Sequence, residues 1–297
     1  MRLNASFSEK SGLVQSWLLA LLVIIGLLVG SILSLIIGIN SAEGLQNPGT
    51  LRIVQAITVV FSFLIPALGL AWFCSQSPLE YLSLNKIPSA NLFLFALVGL
   101  ILFSPTINVA SLLNKQMILP SFLEPLETWM KAKEAEMEVF VNLLIQEEGI
   151  GALLSNLIVM ALLAALTEEL LFRGAIQRII EKWTQNHHLV IWFTAILFSA
   201  IHMQFYGFIP RMLLGAYLGY LLYWSKSMWL PIFAHFANNA IAVIVTRNVD
   251  TTSEYNEFLT GDIKSEDIIG YSILALFTFF LFVFLNKKLA KEAAKNN

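Results

Sequence analysis

Two adjacent glutamates, Glu168 and Glu169, stand inside an otherwise apolar stretch, with Arg173 four residues beyond the second. Two histidines follow in separate apolar stretches: His202, four residues after Phe198, and His235, which precedes Asn238 and Asn239. At 3.6 residues per turn Glu169 and Arg173 share a helix face, in the order that favours an ion pair. Glu168 points about 100° away around the same helix. An ionised side chain at the centre of a membrane helix costs about 2.5–3.5 kcal/mol, so a pair of carboxylates there needs compensation. Arg173 supplies it for Glu169 alone. A carboxylate removed from water beside a like charge and without a cation is a stronger base than one in solution, which suits Glu168 to general-base work.

A purely structural reading has an ion-pair cluster that orients helices. It accounts for Glu169 with Arg173 and leaves the second glutamate unexplained. Taken alone, His202 reads as a hydrogen-bonded packing residue. His235 and Asn239 are i, i+4 partners, and Asn238 at i+3 is nearly as well placed, so spacing does not choose between the two amides. Amides at such depth also serve as hydrogen-bonding glue between membrane helices. His187 and His188 fall in a polar loop and read as solvated. The combination carries more than its parts: a hydrolase needs a base to activate water and donors for a developing oxyanion. Glu168 with His202 meets the first need, His235 with Asn239 the second.

These residues must be positioned by membrane-spanning helices. Of 297 residues 57% are apolar and 13% charged, and mean hydropathy is +0.73, whereas a soluble domain carries roughly 25% charged residues. Eight apolar runs approach the ~20 residues a span requires: 14–38, 53–74, 91–112, 152–175, 189–208, 209–225, 228–247 and 267–286. The first is longer than a signal-peptide core. The fold class is therefore all-α, a polytopic integral membrane protein of about eight spans. It divides into an N-terminal region 1–150 with three spans and a long acidic loop, a core 151–247 holding spans four to seven, and a region 248–297 with an acidic loop, the last span and a basic tail. One cysteine, Cys74, forms no internal disulfide, and a net charge of −2 gives no reason to expect nucleic acid.

Eight spans put both termini on one side with Arg2, Lys10, Lys86, Arg178, Lys182, Lys226, Lys287, Lys288, Lys291 and Lys295, ten cations. The other side has seven: Arg52, Lys115, Lys131, Lys133, Arg211, Arg247 and Lys264. The positive-inside rule places both termini in the cytoplasm. The far side is strongly acidic, through Glu124 to Glu148 in the third loop and Asp250 to Asp267 later. From Leu126 to Gln146 that third loop repeats apolar residues at helical spacing, which predicts an amphipathic helix packed over the bundle or lying at the interface.

The three patterns, EExxxR (Glu168, Glu169, Arg173), FxxxH (Phe198, His202) and HxxxN (His235, Asn239), resemble in order the motifs of the CAAX-protease and bacteriocin-processing family, the glutamate-type intramembrane endopeptidases also called Abi proteins. The resemblance covers roughly residues 150–245. It implies peptide-bond hydrolysis without a covalent intermediate, metal or other cofactor. Glu168 and His202 would activate water, His235 and Asn239 would form the oxyanion hole, and Glu169 with Arg173 would shape the site. It chooses Asn239 over Asn238. The implied partners are membrane lipid and a peptide or protein substrate, which in the eukaryotic branch is a prenylated C-terminal tail opened from the cytosolic side; a bacterial plasma membrane is the expected location. Family members are also linked to bacteriocin immunity, so a non-catalytic immunity, transport or scaffolding role for the same polar cluster is the alternative. A zinc protease using Glu168, His202 and His235 is another, though no HExxH helix is present. With the spans set as above, a rise of 1.5 Å per residue leaves Glu168 and His202 about 10 Å apart in depth.

Overall fold

The computed structural model describes residues 4–41, 44–145, 147–248 and 268–296, and every regular element among them is helical. Helix α1 is Gly12–Asn40, started by Ser11, whose side chain accepts from the Val14 N–H. Helix α2, Pro48–Cys74, starts at Asn47 in the same way with proline in its first turn, where the missing N–H removes no helical hydrogen bond. Then follow α3 (Ala90–Lys115), α4 (Glu124–Ile145), α5 (Ile150–Glu181), α6 (His187–Ala200), α7 (Phe208–Ser225), α8 (Trp229–Asn248) and α9 (Ile268–Asn296).

Seven of these, all but α4 and α6, are long and apolar enough to cross a bilayer. Their surfaces say the same. Trp17, Leu28 and Ile36 on α1 and Ile273, Phe277, Phe280 and Phe284 on α9 are exposed, an arrangement that suits lipid and is unfavourable in water. Helices α5, α7 and α8 are the most enclosed. Helix α3 lies along α9, α6 along α7, and α5 along α8. A core of Leu92, Leu100, Phe103, Leu218, Leu221 and Leu230 joins α3, α7 and α8.

The fifth apolar run departs from the sequence expectation. Instead of spanning 189–208, helix α6 stops at Ala200 after 14 residues, about 21 Å of rise against a hydrocarbon core of about 30 Å. Met203 ends it with a left-handed backbone, φ 55°, and the chain turns back within the bundle. Backbone polar groups of such a turn must be satisfied by protein. Asn114 on α3 does this from both ends of its amide, donating to the Phe205 carbonyl at 3.0 Å and accepting from the Ile209 N–H at 2.8 Å. Ser199 Oγ donates to the Phe208 carbonyl at 2.7 Å. His187 and His188, expected in a loop, open α6 instead, and His187 stacks on Tyr223.

The third loop contains the expected helix, α4. Its end is fixed by Arg52, a residue the sequence placed in a loop and the fold buries. Arg52 pairs with Glu147 at 2.5 Å and donates to Asn156 Oδ1 at 2.8 Å and the Leu144 carbonyl at 3.3 Å. Trp129 of α4 lies against Phe205 of the α6–α7 turn. Arg2, Lys264 and the acidic stretch Asp250 to Asp267 lie outside the described residues.

Helix α5 is not uniform. Wider π-helical turns at Leu157–Leu163 and Leu170–Ile176 flank the regular segment Ala164–Glu169. Such turns are frequent at functional sites, where they re-aim side chains; here they bracket both glutamates.

Candidate active site

Glu169 and Arg173 meet on α5 as their spacing requires, Arg173 Nη1 to Glu169 Oε1 at 2.9 Å, with both side chains fully buried. Arg173 has two further partners. Its Nη2 donates to the Gly215 carbonyl of α7 at 2.7 Å, and its guanidinium lies 4.7 Å over the Phe198 ring, a cation–π arrangement. Gly215 permits this closeness. A Cβ there would stand 3.1 Å from Phe198 Cδ1 and 3.3 Å from the Ala195 Cβ, so only glycine lets α7 approach α6 at this level without displacing the ring.

Glu169 Oε1 also receives His235 Nδ1 at 2.7 Å. Since the carboxylate accepts, Nδ1 carries a proton and His235 turns its Nε2 to the other glutamate, 3.8 Å from Glu168 Oε2. His202 is oriented by a different device. Its Nδ1 lies 2.7 Å from the Phe198 carbonyl, which can only accept, so the proton is on Nδ1 and the Nε2 lone pair faces Glu168 Oε2 at 3.9 Å. The Phe198 ring packs edge-on against both imidazoles. It is thus a shared platform for Arg173, His202 and His235.

The 10 Å depth offset expected between Glu168 and His202 is absent. The expectation ran α6 on to residue 208, whereas His202 sits in the turn just beyond Ala200, and α5 extends over 32 residues, past the 152–175 assigned from hydropathy.

Asn238 and Asn239 both reach the site. Asn239 Nδ2 donates to the Met160 carbonyl at 3.4 Å, and its Oδ1 accepts from Asn238 Nδ2 at 3.2 Å. The Asn239 oxygen is thus engaged by Asn238 and one of its two N–H groups by Met160. Glu168, His202, His235, Asn238 and Asn239 line one cavity of about 490 Å³ together with Gln55, Met160, Gln204 and Arg211. Through Val141, Gln204 and Gly207 it adjoins a second hollow of about 590 Å³ bordered by Lys115 and by Glu134 and Glu138 of α4. The cavity therefore opens beside α4 and the α6–α7 turn, on the side away from the start of α1 and the end of α9.

The three motifs converge, from α5, the α6 turn and α8. Residues 150–241 match the family model described as type II CAAX prenyl endopeptidase Rce1-like. This core is similar to the CAAX-protease and bacteriocin-processing family. The CAAX-protease match falls on α5 to α8, the helices that carry every side chain of the motifs. Over 90 residues the chain is 29% identical to the uncharacterized protein YpbD of Bacillus subtilis (strain 168). The overlap covers 29% of this chain and 43% of that protein, so the chain spans under half the length of the relative it matches. No solved structure matches.

Sequence reasoning missed Arg211, which it counted as a loop cation, and Gly215. Arg211 had a signal, a charge in the first turn of an apolar run. So did Gly215, because Gly215 and Gly219 form a GxxxG pair, a spacing that brings membrane helices close.

Proposed function

We propose that this protein is an intramembrane endopeptidase in which Glu168 and His202 activate water and His235 with Asn239 stabilises the oxyanion. One observation carries the reading: a single carboxylate oxygen, Glu168 Oε2, stands 3.8 and 3.9 Å from two imidazole nitrogens supplied by other segments, at the wall of one cavity. The Glu168–His202 gap is too long for a direct hydrogen bond and fits two acceptors that hold the two hydrogens of one water. A water held so directs its lone pair at a substrate carbonyl. On attack, Glu168 takes a proton and returns it to the departing amine, with no covalent enzyme intermediate. The negative charge on the carbonyl oxygen meets the Asn239 amide and the Nε2–H of His235. That histidine acts as an imidazolium that has taken its second proton from solvent before attack, held by Glu169 at Nδ1 and faced by Glu168 at Nε2. Glu169 positions His235 and Arg173 holds Glu169.

The test is cleavage of a peptide library in liposomes. Removing one oxyanion donor costs about 10²–10³-fold in turnover, and Asn239→Ala and His235→Ala are expected to fall in that range. Asn238→Ala, which only orients Asn239, is expected to lose about tenfold. Equal losses at 238 and 239 would reassign the role. A zinc protease is the rival that the same assay excludes or supports. The 3.8–3.9 Å separations exceed the roughly 3.3 Å between ligands on tetrahedral zinc, and activity retained under a chelator argues for the carboxylate mechanism.

Both termini belong in the cytoplasm on this reading, because α6 and α7 run antiparallel with His187 stacked on Tyr223, so α8 leaves from the side on which α5 ended although α6 is too short to cross fully. Ten cations on that side against seven on the other favour this by the positive-inside rule. The cavity then opens on the extracytoplasmic side, favouring an exported peptide or an extracytoplasmic segment over a cytosolic tail. Cysteines at exposed Val139 on α4 and exposed Leu79 on the opposite side report this directly, because the native Cys74 is buried. In intact cells an impermeant maleimide should label Val139→Cys and spare Leu79→Cys; the reverse pattern inverts the topology.

A further inference from the structure

Arg211 is the cation of the site that the water-activation scheme leaves unused. It lies in the first turn of α7 and lines the same cavity as Glu168, His202 and His235. Its guanidinium is held on one side only: Nη2 donates to Gln204 Oε1 at 2.5 Å and Nη1 to the Gln204 carbonyl at 3.4 Å. Both partners are neutral, and among the described residues no carboxylate lies within ion-pair distance of Arg211. Arg173 is the contrast. It is buried against its own glutamate and a backbone carbonyl, with the neutralising carboxylate at 2.9 Å. A guanidinium in a membrane cavity that no described carboxylate touches, with Glu134 and Glu168 acting on it only from beyond contact distance, marks a ligand path or site. Its five donors form a planar fork, two of them engaged by Gln204, and that fork matches a carboxylate in bidentate fashion.

We propose that Arg211 is a specificity residue that binds a carboxylate of the substrate within a few residues of the scissile bond, either the free C-terminus or an acidic side chain. The proposal rests on the peptidase reading above for its assay, and its chemistry is that of anion recognition alone. The acidic border supplied by Glu134 and Glu138 opposes stray anions at the mouth, so a carboxylate reaches Arg211 only as part of a peptide whose remaining contacts draw it in. The competing role for Arg211 is to balance Glu168 electrostatically, which would affect all substrates alike.

One fluorescein-labelled apolar octapeptide is made in three forms: free acid, C-terminal amide, and amide with Asp two residues from the end. Cleavage by wild type, Arg211→Gln and Arg211→Lys is compared in liposomes, and binding is followed by fluorescence anisotropy with the purified proteins in detergent. Wild type is expected to prefer the free acid over the amide by about 10- to 100-fold in kcat/KM, chiefly through KM. Preference for the free acid alone identifies the C-terminus, and equal preference for the Asp form admits a side chain. Arg211→Gln should bring the acid-to-amide ratio near one, and Arg211→Lys should restore part of it. A wild type indifferent to all three forms overturns the proposal, as does an Arg211→Gln loss that leaves the ratio intact. If wild type binds the acid form selectively but cleaves none, the peptidase reading fails while Arg211 stands.

Discussion

Glu168→Gln is expected to abolish peptide cleavage, by 10³-fold or more, without altering the fold. The substitution keeps the size and shape of the side chain and removes its capacity to accept a proton. General-base catalysis contributes about 10²–10⁴-fold, and among the described residues Glu168 is the carboxylate that faces both imidazoles, His202 Nε2 at 3.9 Å and His235 Nε2 at 3.8 Å. Glu169 cannot replace it, because its Oε1 already serves Arg173 and His235. Removing a carboxylate from a cavity wall relieves an insertion penalty, so thermal stability in detergent should stay level or rise. The same variant separates catalysis from the immunity or transport alternative: a biological function that survives Glu168→Gln while no wild-type cleavage is seen would support binding, and loss of turnover with intact folding supports hydrolysis.

What the sequence could show is local. Glu169–Arg173 and the HxxxN spacing of His235 and Asn239 lie within single helices, where the 3.6-residue repeat alone decides which side chains share a face, and the structure contains both relations. The helical class and the spans followed from apolar run lengths. What failed was set at a distance. The end of α6 at Ala200 depends on Asn114, almost ninety residues earlier, satisfying the backbone of the turn that follows. Hydropathy continues through that turn, since Ile201, Met203, Phe205 and Phe208 are apolar, so the run looked like an unbroken span and displaced His202 in depth. Arg52 and Arg211 were counted as loop cations because their partners, Glu147 with Asn156 and Gln204, come from folded segments. The Phe198 platform and the Gly215 carbonyl are likewise invisible until α5, α6 and α7 are packed together.

The Glu169–Arg173 pair should govern stability rather than proton transfer, and a double-mutant cycle separates the two roles. Both side chains are at 0% exposure. Arg173→Met leaves Glu169 buried without its cation, and breaking a buried pair from one side typically costs about 3–5 kcal/mol. Glu169→Gln leaves Arg173 with the Gly215 carbonyl and the Phe198 ring but no counter-charge, and should cost a similar amount. The combined variant removes both charges, so its destabilisation should be well below the sum of the singles, with a coupling of at least about 1.5 kcal/mol, within the range for directly contacting residues. Thermal unfolding in detergent measures this. Additive losses would mean that the pair is solvated by something other than its partner, and the buried-pair account would fall. Activity should behave differently. Glu169→Gln deprives His235 Nδ1 of its carboxylate acceptor while leaving Glu168 and His202 untouched, so the double variant, although refolded toward wild-type stability, should remain impaired in turnover. Stability recovered without activity is the signature of a residue that fixes the second imidazole in place for the first glutamate.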